Sequence, residues 1–442
     1  MRTLVRNGTV YLEDKAFVTD VLVENGVIAG LEKIDYARGD GRVIDAQGMH
    51  VLPGLIDIHT HLDDAIGKYY LADNYTSGSE IAVTNGITTL CSFITQQRGG
   101  ALREAVQRAL EKAENKAYCD YAFHLTPSSF ERADWTCIEK LLADGFRTFK
   151  FYTTYREAGL YLDYGKLRDA MARIREMGAK VLVHCEDDNL LSQARSKITD
   201  PSNPFSHALA RPVEAEIEGI KRVLEIVEKI KCPCHIVHVS TAEGARLVGQ
   251  ARQDLAVTCE TCPQYLFLND DRLKQADGHR FICSPPLRSE KNRDKMWQLA
   301  LLGTFDAYAT DHCAFLEKDK NEEKADYAKV PNGLPGIGAL VPLTYELHQD
   351  LSALARHLAL NPAKIAGLYP KKGAIRKGSD ADLVVLDTNG KERAIRSSLS
   401  EVYESYAGKT TKLEVKHVLL RGEMAVKDGC LCDRSMHFGK RV

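Results

Sequence analysis

No stretch of this 442-residue chain reaches the roughly 18 to 20 consecutive apolar residues that a membrane span requires. The opening segment, "MRTLVRNGTVYLEDK", mixes charge with short apolar pieces and lacks an apolar core of signal-peptide length. An excess of either charge is missing too. The 59 Lys and Arg nearly balance 61 Asp and Glu, leaving a formal net charge of -2. That balance favours neither nucleic acid nor an anionic membrane as a partner. The 12 cysteines lack the dense spacing of a small secreted scaffold and are spread through strand-like runs, as at Cys91, Cys119, Cys185 and Cys313. Two local clusters, Cys232 with Cys234 and Cys259 with Cys262, have no second pair at matched spacing, and Cys283 stands alone after them. Neither is read as a zinc or redox site. The expectation is a soluble cytoplasmic protein with buried thiols.

What is present is enough chain, at 44% hydrophobic and 27% charged residues, to bury a large core and still leave a smaller second domain. Residues 3–48 alternate short apolar pieces with turn signals. Asn7-Gly8 and Asn25-Gly26 carry the two-residue hairpin signature of an antiparallel β unit. The same texture returns in "DADLVVLD" from Asp380 and in "LEVKHVLLRGEMAVKDG" from Leu413, where Arg421-Gly422-Glu423 turns one strand into the next. The two ends are expected to pair into one small β-sandwich domain, residues 1–51 and 373–442. Residues 52–372 form the insert.

Within that insert, strand-like and helix-like segments alternate. After the apolar run that ends near Ile58, strands are expected at "ITTLCSF" from Ile87, "YCDYAFHLTP" from Tyr118, "RTFKFY" from Arg147, "KVLVHCE" from Lys180, "CHIVHVS" from Cys234, "LAVTCETC" from Leu255 and "DAYATDHC" from Asp306. Helical period is clearest from Ala101, where Leu102, Ala105, Val106, Ala109, Leu110 and Ala113 share a face. The segments from Tyr164 and Glu214 repeat it. Eight β/α units close most economically into a (β/α)8 TIM barrel, an α/β fold. An open doubly wound sheet is the alternative, but no Gly-x-Gly-x-x-Gly turn follows any of these strands.

A barrel places its active residues at the carboxyl ends of its strands. The first strand ends in His59 and His61, which project from one face of an extended chain as a chelating pair. Lys150, His184, His238 and Asp311 stand at the ends of the fourth, fifth, sixth and eighth. Taken singly, the histidines could be core residues, Lys150 a surface lysine and Asp311 a helix cap. Five strands in agreement point to a metal site. A protonated amine cannot ligate a cation, so Lys150 fits only if carboxylated on its ε-nitrogen, which requires the neutral amine that a desolvated, cation-crowded site supplies.

The stretches "GLIDIHTHLD", "FKFYTTY", "VHCED", "VHVST", "ETCPQYL", "SPPLR", "TDHCAF" and "VPNGLPG" resemble the amidohydrolase superfamily, in its cyclic-amidohydrolase branch of hydantoinases, dihydropyrimidinases, dihydroorotases and allantoinases. "GAIRKGSDADLVVLD" resembles the return to that family's β-sandwich. The resemblance implies two zinc ions, with manganese, cobalt or iron as substitutes. It also implies N6-carboxylysine at Lys150 and a homotetramer or homodimer. His59, His61, Lys150 and Asp311 would hold one ion, and Lys150, His184 and His238 the other. A water shared by the ions attacks the amide carbonyl as hydroxide, Asp311 takes its proton and returns it to the leaving nitrogen, and Tyr155 holds the oxyanion. Ser284 and Asn332 match positions whose backbone grips the imide or ureide edge.

Dihydroorotases resemble His-x-His-x-Arg, where arginine pairs with the substrate carboxylate; here Asp63 follows His61 by two. If the strand persisted to Asp63, its carboxylate would oppose an anionic ring. "HTHLD" and "PNGLPG" look hydantoinase-like, whereas "VHCED" leans toward dihydroorotases and "DAIGKYY" lacks the Pro-Phe frequent in hydantoinases. The expected substrate is therefore a neutral cyclic ureide, hydantoin or dihydropyrimidine, opened to an N-carbamoyl amino acid. A dihydroorotase or allantoinase is the alternative, and a catalytically silent scaffold of this fold the second. Tyr69, Tyr70, Tyr152, Tyr155 and Leu160 are candidates for an apolar wall.

Overall fold

A computed structural model describes residues 2–33 and 41–442. Positions 34–40 of the expected amino-terminal β unit lie outside the described residues. Eight strands lie side by side in chain order in one sheet: Leu55–Thr60, Ile87–Thr95, Asp120–Thr126, Thr148–Tyr152, Lys180–His184, Cys234–Ile236, Val257–Thr261 and Ala307–Tyr308. All seven pairings are parallel. Every residue of the first and third strands is buried, which explains their continuous apolar runs: helices cover one face and the barrel interior fills the other. Thr60 bridges His312 just beyond the eighth strand, and the His61 amide donates to the His312 carbonyl at 2.7 Å, so the ends of the sheet meet as a (β/α)8 barrel. Asp57, buried in the first strand, fastens this closure. Its carboxylate accepts the Thr310 amide at 3.1 Å and the Thr310 hydroxyl at 2.6 Å.

The expected helices form over Leu102–Ala113, Tyr164–Glu176 and Val213–Ile230. The first buries Leu102, Ala105, Val106 and Ala113, the face its spacing predicted. Several expected strands are shorter than read, two of them by four residues or more. The sixth stops at Ile236 rather than Ser240, and the eighth at Tyr308 rather than Cys313. Beyond each stop the chain turns inward, with His238 at φ 37° and Asp311 at φ 50°. Such left-handed backbone cannot continue a ladder, so both side chains are carried by turns at the barrel mouth.

Strands from the two ends of the chain meet in a nine-stranded sheet, joined where His50–Pro53 pairs antiparallel with Leu383–Asp387. Val5, Val10, Val21, Val51, Leu383 and Val385 belong to a core of its own. Asn25-Gly26, at φ 51° and 85°, makes the expected hairpin turn, and so does Arg421-Gly422 at φ 46° and 76°. Asn7-Gly8 does not. Arg2–Tyr11 is one strand with a bulge at that dipeptide, where the Asn7 amide donates to Asp20 Oδ1 at 3.0 Å. A Cβ on Gly8 would sit 2.7 Å from Val51 Cγ2, so close packing explains the glycine.

Barrel and sheet are tied by a buried ionic cluster. Lys372 Nζ reaches Asp120 at 2.5 Å, Asp382 at 2.5 Å and Asp380 at 2.9 Å, and Arg421 adds a second cation on Asp120. Asp120 opens the third barrel strand, and Asp382 directly precedes Leu383–Asp387.

Candidate active site

At the carboxyl ends of the barrel strands His59, His61 and Asp311 bring their ligand atoms within 4.8 Å of one another. Asp311 Oδ1 lies 3.0 Å from His59 Nε2 and 3.4 Å from His61 Nε2. The neighbouring pair is His184 and His238, with His184 Nδ1 2.9 Å from His238 Nε2. The His59 and His238 rings are 5.3 Å apart, so the two groups adjoin. Lys150, 1% exposed, holds its amine 5.0 Å from the Phe93 ring centre and 5.1 Å from that of Tyr152. All six side chains line one open cavity of about 740 Å³, together with Tyr155, Ser284 and Asn332.

Charge states favour ligation. Burial lowers the Lys150 amine to about 8, although Asp311 and Glu260 pull the other way. Burial, then the His184 and Lys150 charges, hold His238 well below the usual histidine range. Burial also lowers His61 and His184. Desolvation opposes charge on His59 as well, but Asp311 and Glu260 outweigh it and raise that ring. Burial would raise Asp311; His59, His61 and His238 instead keep its carboxylate well below the ordinary range. His184 Nε2 lies 2.7 Å from Glu186, which assigns the proton to that nitrogen and leaves the Nδ1 lone pair facing His238. Among the described residues, His238 Nδ1 is buried without a hydrogen-bond partner. Neutral imidazoles at His61, His184 and His238, a low-pKa carboxylate and an amine drawn toward neutrality fit a divalent metal, toward which His59 would turn a lone pair on losing its proton.

The flanking residues sort less evenly. Tyr155 adopts φ 71°, an unusual conformation for a tyrosine, and its ring packs 5.1 Å from that of His184. Ser284 Oγ donates to Asn332 Oδ1 at 3.0 Å, so these two cavity residues stand together. Tyr69, Tyr152 and Leu160 line the cavity as expected. Tyr70 does not; it is 68% exposed on the far side of the short ribbon Ala65–Ile66 and Tyr69–Tyr70. Asp63 also departs from expectation. The first strand ends at Thr60 and Asp63 turns to φ 52°, which takes its carboxylate out of the cavity toward Lys112, 4.0 Å away. Asp63 therefore does not face a bound ring.

Comparison with known proteins bears directly on this arrangement, because the profile of the amidohydrolase family matches residues 50–425. The chain belongs to the amidohydrolase family. It is 32% identical over 454 residues to a D-hydantoinase from Streptomyces coelicolor, covering 99% of this chain and 97% of that one. A D-hydantoinase crystal structure superposes with a TM-score of 0.94 at 31% identity, covering 100% of this chain and 98% of the other. A dihydropyrimidinase from Brevibacillus agri NCHU1002 gives 0.93 at 31% identity, with the same coverage. These likenesses put the protein in the cyclic-amidohydrolase branch.

Several residues that support the amidohydrolase site were not singled out from the sequence. Glu260, on the seventh strand, lies 2.5 Å from His59 Nδ1 and 3.1 Å from His235 Nε2. Glu186 receives His184 and is paired with Arg211. His207 Nε2 donates to the Cys283 carbonyl at 2.8 Å, directly before Ser284. Glu260 lies inside the quoted "ETC" and Glu186 inside "VHCED"; period-2 projection toward the barrel interior was the signal available for Glu260, whereas Glu186 stands past the end of its strand. All twelve cysteines are free, and ten of them are at least partly buried.

Proposed function

We propose that this amidohydrolase opens a neutral five- or six-membered cyclic ureide, a hydantoin or a dihydropyrimidine, to an N-carbamoyl amino acid. The convergence of His59, His61, Lys150, His184, His238 and Asp311 on one cavity beside Tyr155 carries the reading. In it, His59, His61 and Asp311 would hold one divalent ion and His184 and His238 the other, with a carboxylated Lys150 as the shared ligand and zinc the expected metal. When bound, the metal supplies Lewis acidity and an acidified water.

The protein's own groups do the rest. Asp311, held ionised by its histidines, accepts at Oδ the proton of the water whose oxygen adds to the amide carbonyl carbon, and delivers it to the ring nitrogen as the C–N bond breaks. The Tyr155 phenol, which burial keeps protonated, donates to the carbonyl oxygen as charge develops there. Backbone groups at Ser284 and Asn332 grip the ureide edge, and the hydrogen bond between the two side chains keeps those segments in register. Tyr152, Leu160 and Val330 give the ring substituent an apolar wall. A homotetramer or homodimer in a reducing cytoplasm completes this reading, and the unbridged cysteines are in keeping with that compartment.

One observation favours a second reading. Arg98 lines the same cavity and would suit an anionic ring such as dihydroorotate. A ring-opening panel on zinc-loaded protein, with hydantoin, a 5-substituted hydantoin, dihydrouracil, dihydroorotate and allantoin, separates the two. The expected result is turnover of the neutral ureides and little of dihydroorotate. Activity confined to dihydroorotate would install the second reading, and silence on every compound would reject both.

A further inference from the structure

One buried ion pair joins Tyr155 to His184: its carboxylate orients the His184 ring, and its guanidinium has no part in the chemistry described above. Arg211, 5% exposed, donates Nε to Glu186 Oε1 at 3.1 Å and Nη2 to Glu186 Oε2. Its guanidinium carbon sits 5.1 Å from the centre of the Tyr155 ring. Glu186, fully buried, also receives His184 Nε2 at 2.7 Å on Oε2, the oxygen that Arg211 Nη2 meets. The fork is held from behind as well. The Arg211 carbonyl accepts Arg288 Nη1 at 2.5 Å, and the residue lies between the helices Ser206–Ala210 and Val213–Ile230.

Tyr155 needs such a constraint. Its φ of 71° is a conformation that a bulky residue keeps only where the surroundings over-determine it. Its ring has the Tyr152 ring 5.7 Å away on one side and the Arg211 guanidinium on another. A planar guanidinium can bond a carboxylate through its edge while presenting its charge to an aromatic ring, which an ammonium does poorly. Among the influences on the phenol, burial pushes its pKa up and Arg211 draws it back. We infer that Arg211, clamped by Glu186, is a positioning residue that seats the Tyr155 phenol over the reacting carbonyl without touching substrate. The inference rests on the reading that Tyr155 serves the oxyanion.

The test uses the metal-loaded protein, the ureide that the wild type opens fastest, and the variants Arg211→Lys, Tyr155→Phe and the pair Glu186→Gln with Arg211→Met. The paired variant avoids stranding a buried carboxylate, and its glutamine still accepts the His184 proton. For it we expect kcat to fall roughly 10- to 100-fold with KM little changed, since misplacing one catalytic group by an ångström has effects of that size. Metal content per chain should match the wild type. Introducing the pair into Tyr155→Phe should cause almost no further loss, because both changes remove one interaction. Arg211→Lys, which keeps the charge and should fold even where the pair does not, should fall between, and its effect should likewise vanish in the Tyr155→Phe background. Losses that multiply with Tyr155→Phe, or that follow metal content, would overturn the inference while leaving the ureide reading intact. A fully loaded wild type that opens no ureide would remove that reading and the inference with it.

Discussion

Lys150 lies with its amine between the rings of Phe93 and Tyr152, and burial lowers its pKa from 10.5 to about 8 against the pull of Asp311 and Glu260. In metal-free, unmodified protein the unfolded chain binds this proton more tightly than the folded one. The resulting cost to stability is full below pH about 8 and fades as pH rises toward 10.5. The same shift opens the amine to carbon dioxide. Incubation with 13C-bicarbonate should produce a carbamate carbon signal that grows as pH rises through about 8 and is absent from Lys150→Ala. A wild type with no such signal at any pH would leave Lys150 an ordinary buried amine. The cavity positions of all six candidate ligands were legible because each is a ligating residue type at the end of an apolar run, and a barrel collects such ends. Asp63 was misread because strand alternation was extended past the point where the chain turns, and Tyr70 because it and Tyr69 are adjacent on a short ribbon, where only Tyr69 lines the cavity. Arg211 had no local signal. It meets Glu186 across 25 positions, and nothing in one sequence marks such a pair.

Among the elements, the first barrel strand, Leu55–Thr60, carries His59 and closes the barrel through Asp57. Replacing Asp57 with alanine removes its hydrogen bonds from the buried amide and hydroxyl of Thr310, stranding the amide and leaving the hydroxyl only the His59 carbonyl at 3.3 Å. Since each is lost from a charged acceptor, the change should cost about 2 to 3 kcal/mol in urea unfolding. An unchanged midpoint would mean that the closure is held by the Thr60 and His61 contacts alone. Strand order and helix faces were readable from period, since apolar runs and i, i+3, i+4 stripes record burial. Element ends were not. The eighth strand keeps only Ala307–Tyr308 because Asp311 must turn into the cavity, and Asn7-Gly8 became a bulge because Val51 packs across it. Both outcomes were decided by contacts distant in sequence.

For the molecule as a whole, the ionic cluster around Lys372 is a buried tie between barrel and sheet. Three carboxylates, Asp120, Asp380 and Asp382, meet two cations there, Lys372 and Arg421. Lys372→Met leaves buried carboxylates facing one another and should cost about 3 to 5 kcal/mol. Urea unfolding followed by both tryptophan emission and circular dichroism measures it, and a shift under 1 kcal/mol (order of magnitude) would deny the cluster that role. The pairing of the chain's two ends was legible from their matching β texture, but the ionic tie between sheet and barrel was not, because Asp120 looked like any polar residue opening a strand.

Ring opening of hydantoin and dihydrouracil, followed on one preparation before chelation, after chelation, and after zinc and bicarbonate are returned, tests the proposed centre most directly. Activity should vanish with the metal and recover as two ions per chain rebind. Turnover that persists in protein stripped of metal, or that fails to appear in protein carrying both ions, would contradict it.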